Sequence, residues 1–244
     1  MSLSSATQKA IALALSEIEN DPERKLSPKN RLAIYDSFGD EINLTHLTQT
    51  GTSKFESFTD GYKRYTYLHV LAVMRILPIW DADMPRFQRE TPSNFAGIAQ
   101  LPHYILQNAQ ATLQGNSSPA VLQKLEQELP SAIDALAMFF KYNVIEAAIA
   151  AYGFFLTANH HTPFHSKDNL EKTINLETVT DVDLYNSGSN WDVAWHASQA
   201  ICAIDNDPIG TKERNPIEYD TQKRLEFWQW WLQEAVPQAC QVDI

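Results

Sequence analysis

Between Ala132 and about Leu156 the sequence is apolar on nearly every side of a helical wheel. A helix of that kind cannot lie on a surface, so other elements must surround it. The surrounding sequence supplies helices. Ser5 to Ile18 has helical periodicity and ends at Asn20-Asp21-Pro22. Ser27-Pro28 is a start signal, with a capping hydroxyl followed by a ring preset for the first turn. The helix after it carries Leu32, Ile34, Tyr35 and Phe38, and Gly39 can take the left-handed conformation that stops it. Tyr62 to Leu77 has a broad apolar face, and Pro78 and Pro85 are read as bracketing an irregular turn around Trp80-Asp81. Further helices are expected over Leu101–Leu113, Ser118 to about Leu129, Trp191–Ile204 and Tyr219–Ala235. Residues from His160 to about Ser189 read as a long polar loop. Thr173–Leu176 and Thr178–Thr180 are the only strand-like alternations, both short.

Only 8 glycines occur in 244 residues, which suits helices more than turn-rich sheets. No Pro/Gly linker separates two self-sufficient halves. The expected fold is all-α: one domain over 1–244, a multi-helix bundle or array with a long central hydrophobic helix.

The net charge is −11. Nucleic acids and anionic membranes need a Lys/Arg surplus, so neither is an expected partner. The longest uncharged apolar stretch, Ala147–Leu156, is far shorter than the roughly 20 residues of a membrane span. No basic patch precedes an apolar run at the N-terminus, and Glu17, Glu19, Asp21 and Glu23 follow the first helix. A cytoplasmic location is expected. Cys202 and Cys240, the only two cysteines, read as reduced, mostly buried thiols.

Charge is uneven along the chain. From Asp168 to Asp220 eleven acids stand against three bases, a net −8. Most lie on two loops flanking the segment Ser189-Asn190-Trp191-Asp192-Val193-Ala194-Trp195-His196. Such loops can steer and hold a basic protein partner, and Asp181, Asp183, Asp205, Asp207 and Glu213 are the candidate contacts. Within the segment, Ser189 is read as the cap with Asp192 reaching back to it. Asp192 and His196 stand one turn apart, which reads as an ordinary helix pair, with a catalytic or metal-ligating pair as the alternative.

On a wheel, Arg224, Leu225, Phe227, Trp228, Trp231, Leu232, Ala235 and Val236 cover one half of the last helix. Arg224 sits in the middle of that apolar half, and a buried guanidinium needs a carboxylate. Glu146 and Asp192 are the expected partners. Trp230 falls on the polar half, where an aromatic ring can anchor an interface. Trp191, Trp195, Phe227, Trp228 and Trp231 are assigned to the core with Glu146, Asp192 and Arg224.

The sequence holds no P-loop, Gly-rich dinucleotide turn, His-Glu-x-x-His or Gly-x-Ser-x-Gly. The best metal-like group is His160, His161 and His165 with Asp168, and it supports an alternative reading as a metal-dependent helical enzyme. Thr162-Pro163 breaks any regular helix there, which keeps the three rings off one face. No catalytic residue and no cofactor are assigned.

Trp191-Asp192 opening a small-residue helix, an acidic loop, then Arg224-Leu225-Glu226-Phe227-Trp228-Gln229-Trp230-Trp231-Leu232 with Glu234-Ala235-Val236-Pro237 resembles immunity protein family five of bacterial polymorphic toxin systems. The resemblance covers Ser189 to Pro237. Where the family pattern has a Gly-rich turn, this chain has Ala203-Ile204-Asp205-Asn206-Asp207. The resemblance implies an all-helical protein that neutralises a cognate toxin by direct binding. A basic toxin would complement the acidic loops.

Overall fold

The computed structural model describes residues 3–39, 59–90, 100–113, 141–160, 178–181, 192–204 and 217–241. These residues are mostly helical, with no strand among them. The one paired backbone contact of note is an isolated antiparallel bridge between Ala203 and Tyr219. Thr178–Thr180 does not form the short strand that its alternation suggests, and Thr173–Leu176 lies outside the described residues.

Helix α1, Ser5–Asn20, starts where the Ser4 hydroxyl accepts from the Thr7 N–H at 3.0 Å. After it the chain turns on Asp21, whose carboxylate takes the N–H groups of Glu23 and Lys25. Helix α2, Pro28–Asp36, opens as its Ser-Pro signal demands, with Ser27 capping Asn30. Glu17 of α1 accepts from the Ser27 backbone and the Asn30 side chain, fixing the hairpin of α1 and α2. Beyond α2, Gly39 adopts φ +112°, a region open to glycine and costly for L side chains.

Helix α3 runs unbroken over Asp60–Glu90, 31 residues, and contains both Pro78 and Pro85. This replaces the irregular turn expected around Trp80. The prolines are tolerated because each would have bonded the carbonyl four residues back, on Met74 and Asp81. All four residues are exposed, on the side of the helix where solvent can take over the freed carbonyls. Trp80, between the two prolines in sequence, is fully buried.

Helix α4 spans Leu101–Leu113 and α5 spans Tyr142–His160. The expected start of the central helix, Ala132, lies outside the described residues. The longest helix described is therefore α3. Helix α5 packs against α3, α4 and the following helix α6, Val193–Cys202. Both helices bring small residues to the core they share, Ala147, Ala150 and Ala151 from α5 and Ala194, Ala197 and Ala200 from α6, all buried. Alanines let two helix backbones approach closely, and that is why so many sit in these two segments.

Helix α7, Thr221–Trp230, continues through a π turn, Trp231–Ala235, into α8, Val236–Cys240. The buried residues of this unit form two rows, Arg224-Trp228-Leu232-Val236 and Phe227-Trp231-Ala235-Ala239, each with a spacing of four. Four residues of α-helix overshoot one turn by about 40°, so such rows drift off a flat interface. The wider π turn, in which the Val236 N–H reaches back to the Trp231 carbonyl, takes up that drift. Buried residues from α1 to α8 share one hydrophobic core among the described residues. No helix among the described residues is long and apolar enough to cross a membrane.

Candidate functional site

Asp192 is the N-cap of α6, displacing Ser189 from the role expected for it. Its Oδ1 accepts from the N–H groups of Ala194 at 3.0 Å and Trp195 at 3.2 Å, and from the Tyr35 hydroxyl at 3.3 Å. Its Oδ2 meets Nε of Arg31, a residue of α2 with no exposed surface. The remaining Arg31 nitrogens reach the Asp181 carboxylate and the Leu26 carbonyl. One guanidinium thereby joins α2, the 178–181 segment and the start of α6.

The electrostatics follow from that geometry. Burial opposes charge on Arg31, but Asp181 and then Asp192 outweigh it and raise its pKa. Burial likewise opposes charge on Asp192, and Arg31 with the Trp195 N–H outweighs it, leaving the carboxyl below its usual value. Tyr35, half-buried and beside Asp192, is pushed well above the ordinary phenol range by desolvation and then by that carboxylate. Beside this pair lies His69 of α3, fully buried among Tyr35, Tyr65 and Phe154, with neither ring nitrogen hydrogen-bonded. Burial lowers its pKa to about 4, against a weaker pull from Asp192, so it is neutral at physiological pH.

Arg224 is buried, but neither expected carboxylate meets it. Its Nη1 donates to the Glu23 carbonyl at 2.8 Å, its Nε lies 3.4 Å from Cys202 Sγ, and its plane stacks 4.4 Å from the Tyr219 ring. The reason is the position of α7. The Ala203–Tyr219 bridge brings the start of α7 to the C-terminal end of α6. Asp192 caps the opposite end, roughly 15 Å away at the helical rise of about 1.5 Å per residue. Glu146 of α5 is taken by His196, whose Nδ1 lies 2.6 Å from Oε2. Asp192 and His196 thus serve two separate networks. The second continues through Tyr142 to the Tyr219 hydroxyl, 3.4 Å from that of Tyr142, and burial followed by Glu146 raises the Tyr142 pKa.

Asp181 departs from its reading as a surface contact, because its charge is spent on Arg31. Trp230 is half-buried, tilted against Phe227, with the exposed Arg75 guanidinium 5.0 Å from its ring centre. Phe227, Trp228 and Trp231 are fully buried, and Trp195 is half-buried against His196. His160 belongs to the end of α5, where a loop was expected. Trp191, His161, His165, Asp168, Asp183, Asp205, Asp207 and Glu213 lie outside the described residues. Among the described residues no group of three or more His, Cys, Asp or Glu is placed to hold a metal ion. Cys202 and Cys240 are free thiols.

Arg31 and His69 are the site residues that sequence reasoning missed. A signal for Arg31 exists. It is spaced by three from Pro28 and Ile34, both buried, so the wheel argument that singled out Arg224 applies equally to α2.

Comparison with curated proteins found no match. The family model described as Immunity protein Imm5 matches residues 11–238, nearly the whole chain, from α1 to α8. The match takes in Arg31, Asp192 and Arg224 together with the aromatic rows of α7. The chain therefore belongs to the Imm5 family of immunity proteins.

Proposed function

We propose that this chain neutralises a cognate bacterial toxin in the cytoplasm by binding it directly, with no bond made or broken. The observation that carries this reading is the family match over residues 11–238. The chemistry of the interior supports it. Arg31, Asp192, Glu146 and His196 are all buried and engaged with one another. Their arrangement serves rigidity, which an inhibitor needs so that little ordering cost falls on binding. The exterior supplies the attraction. A chain of net −11 speeds its encounter with a basic protein. The acids Asp183, Asp205, Asp207 and Glu213 are the proposed loop contacts.

The test is co-expression with the toxin encoded by the neighbouring gene, scored by growth and by co-elution of the purified pair. Protection together with a stable complex is the expected result. Protection without a complex would point to another mode of action and overturn direct binding. Reversal of all four loop acids to lysine is expected to weaken the complex by about tenfold or more, mainly through the association rate.

A further inference from the structure

The outward side of the last helix carries an arrangement that the core does not use. Glu226, Trp230 and Glu234 follow one another at intervals of four, placing a carboxylate about one turn to either side of the indole. Glu226 and Glu234 are exposed, while Trp230 is half-buried and anchored from beneath by Phe227. Glu226 accepts a hydrogen bond from Gln222, and among the described residues neither glutamate meets a cation. Across the seam, α3 runs antiparallel to this unit. Its Tyr67 hydroxyl accepts from Gln238 and its Arg75 lies over Trp230. Next to Arg75, Met74 stands 49% exposed on the same helix.

We propose that Glu226, Trp230 and Glu234 form the surface on which a basic face of the cognate toxin docks. The occupant follows from charge and chemistry. An arginine or lysine of the partner would find a carboxylate one turn to either side of the indole, which offers charge-assisted pairing at two points. Phe227 and Arg75 already contact the ring, so Trp230 serves as a fixed anchor between the two carboxylates. Aromatic, Met and Arg side chains are also the types enriched at interface centres. Trp230 needs little ordering on binding, because Phe227 and Arg75 already hold it. This inference rests on the binding reading above and moves the anchor of the interface from the loops to a helix face.

The experiment measures binding to the neighbouring-gene toxin, made as an inactive variant, by calorimetry. The partners are the unaltered chain, Glu226→Lys/Glu234→Lys, Trp230→Ala and Trp230→Phe. The double reversal is on exposed positions, so its circular dichroism and thermal midpoint should match the unaltered chain. We expect the double reversal and Trp230→Ala each to weaken binding by about thirtyfold, the scale of a hot-spot residue. Trp230→Phe should retain most of the affinity. Binding by the double reversal within about twofold of the unaltered chain would overturn the proposal while leaving direct binding intact. Failure of the unaltered chain to bind would instead overturn the functional reading and this inference with it. A dimer of the unaltered chain that Trp230→Ala dissociates would assign the face to a second copy and also overturn the toxin as its occupant.

Discussion

His69 is held neutral in a cage of Tyr35, Tyr65 and Phe154, with the Arg31–Asp192 pair beside it. Its folded pKa of about 4 lies below the ordinary value of 6.5. Between those values only the unfolded chain takes up the proton, so stability is complete above about pH 6.5 and falls as pH falls toward 4. The loss at the acid end is on the order of 3 kcal/mol, since each tenfold drop in proton affinity is worth about 1.4 kcal/mol. Urea unfolding at pH 7.5 and pH 5 should show it, and His69→Phe should flatten the dependence. Asp192, depressed below its usual value, adds a further loss at still lower pH. Arg31→Met strands a buried carboxylate and should cost about 3–5 kcal/mol. Combining it with Asp192→Asn should cost much less than the two single changes together, as the coupling of a shared pair requires. Arg31 and Arg224 show what was readable at this scale. Their burial follows from apolar neighbours at helical spacing. Their partners do not, since those lie up to 201 residues away and depend on which helix ends meet.

At the scale of elements, the termini marked by local chemistry were legible. Ser27-Pro28 and Gly39 are where side-chain capping and backbone freedom place them. The continuity of α3 through Pro78 and Pro85 was not, because the cost of a proline depends on whether water reaches the carbonyl it frees. The π turn had a visible cause that went unread, the spacing of four in both buried rows of α7 and α8. Inserting one alanine after Gln233, an exposed residue of that turn, should rotate Ala235, Val236 and Ala239 off the core by about 100°. We expect a loss of about 3 kcal/mol or more in urea unfolding, comparable to emptying a core site. Replacing Gln233 by alanine should cost almost nothing, which separates the winding from the side chain.

For the whole molecule, fold class was the easiest level to read. An all-round apolar helix, scarce glycine and repeated caps allow few alternatives to an all-helical core. The site was harder, because its acids divide between two duties that composition cannot tell apart. Asp181 and Asp192 neutralise Arg31 inside, while Glu226 and Glu234 face water. Charge at this scale should show in kinetics. Raising salt from about 0.05 to 0.5 M, which shortens the screening length from above 10 Å to a few ångströms, should slow toxin association far more than it speeds dissociation. Stopped-flow mixing would measure both rates.

The ties from Arg31 to Asp192 and from Glu23 to Arg224 run from the first forty residues to positions beyond 190. During translation, α1 and α2 leave the ribosome long before the acids that balance Arg31 have been made. A chain stopped short of residue 192 therefore cannot close its core, since the Arg31 cation would lack the carboxylate that offsets its burial.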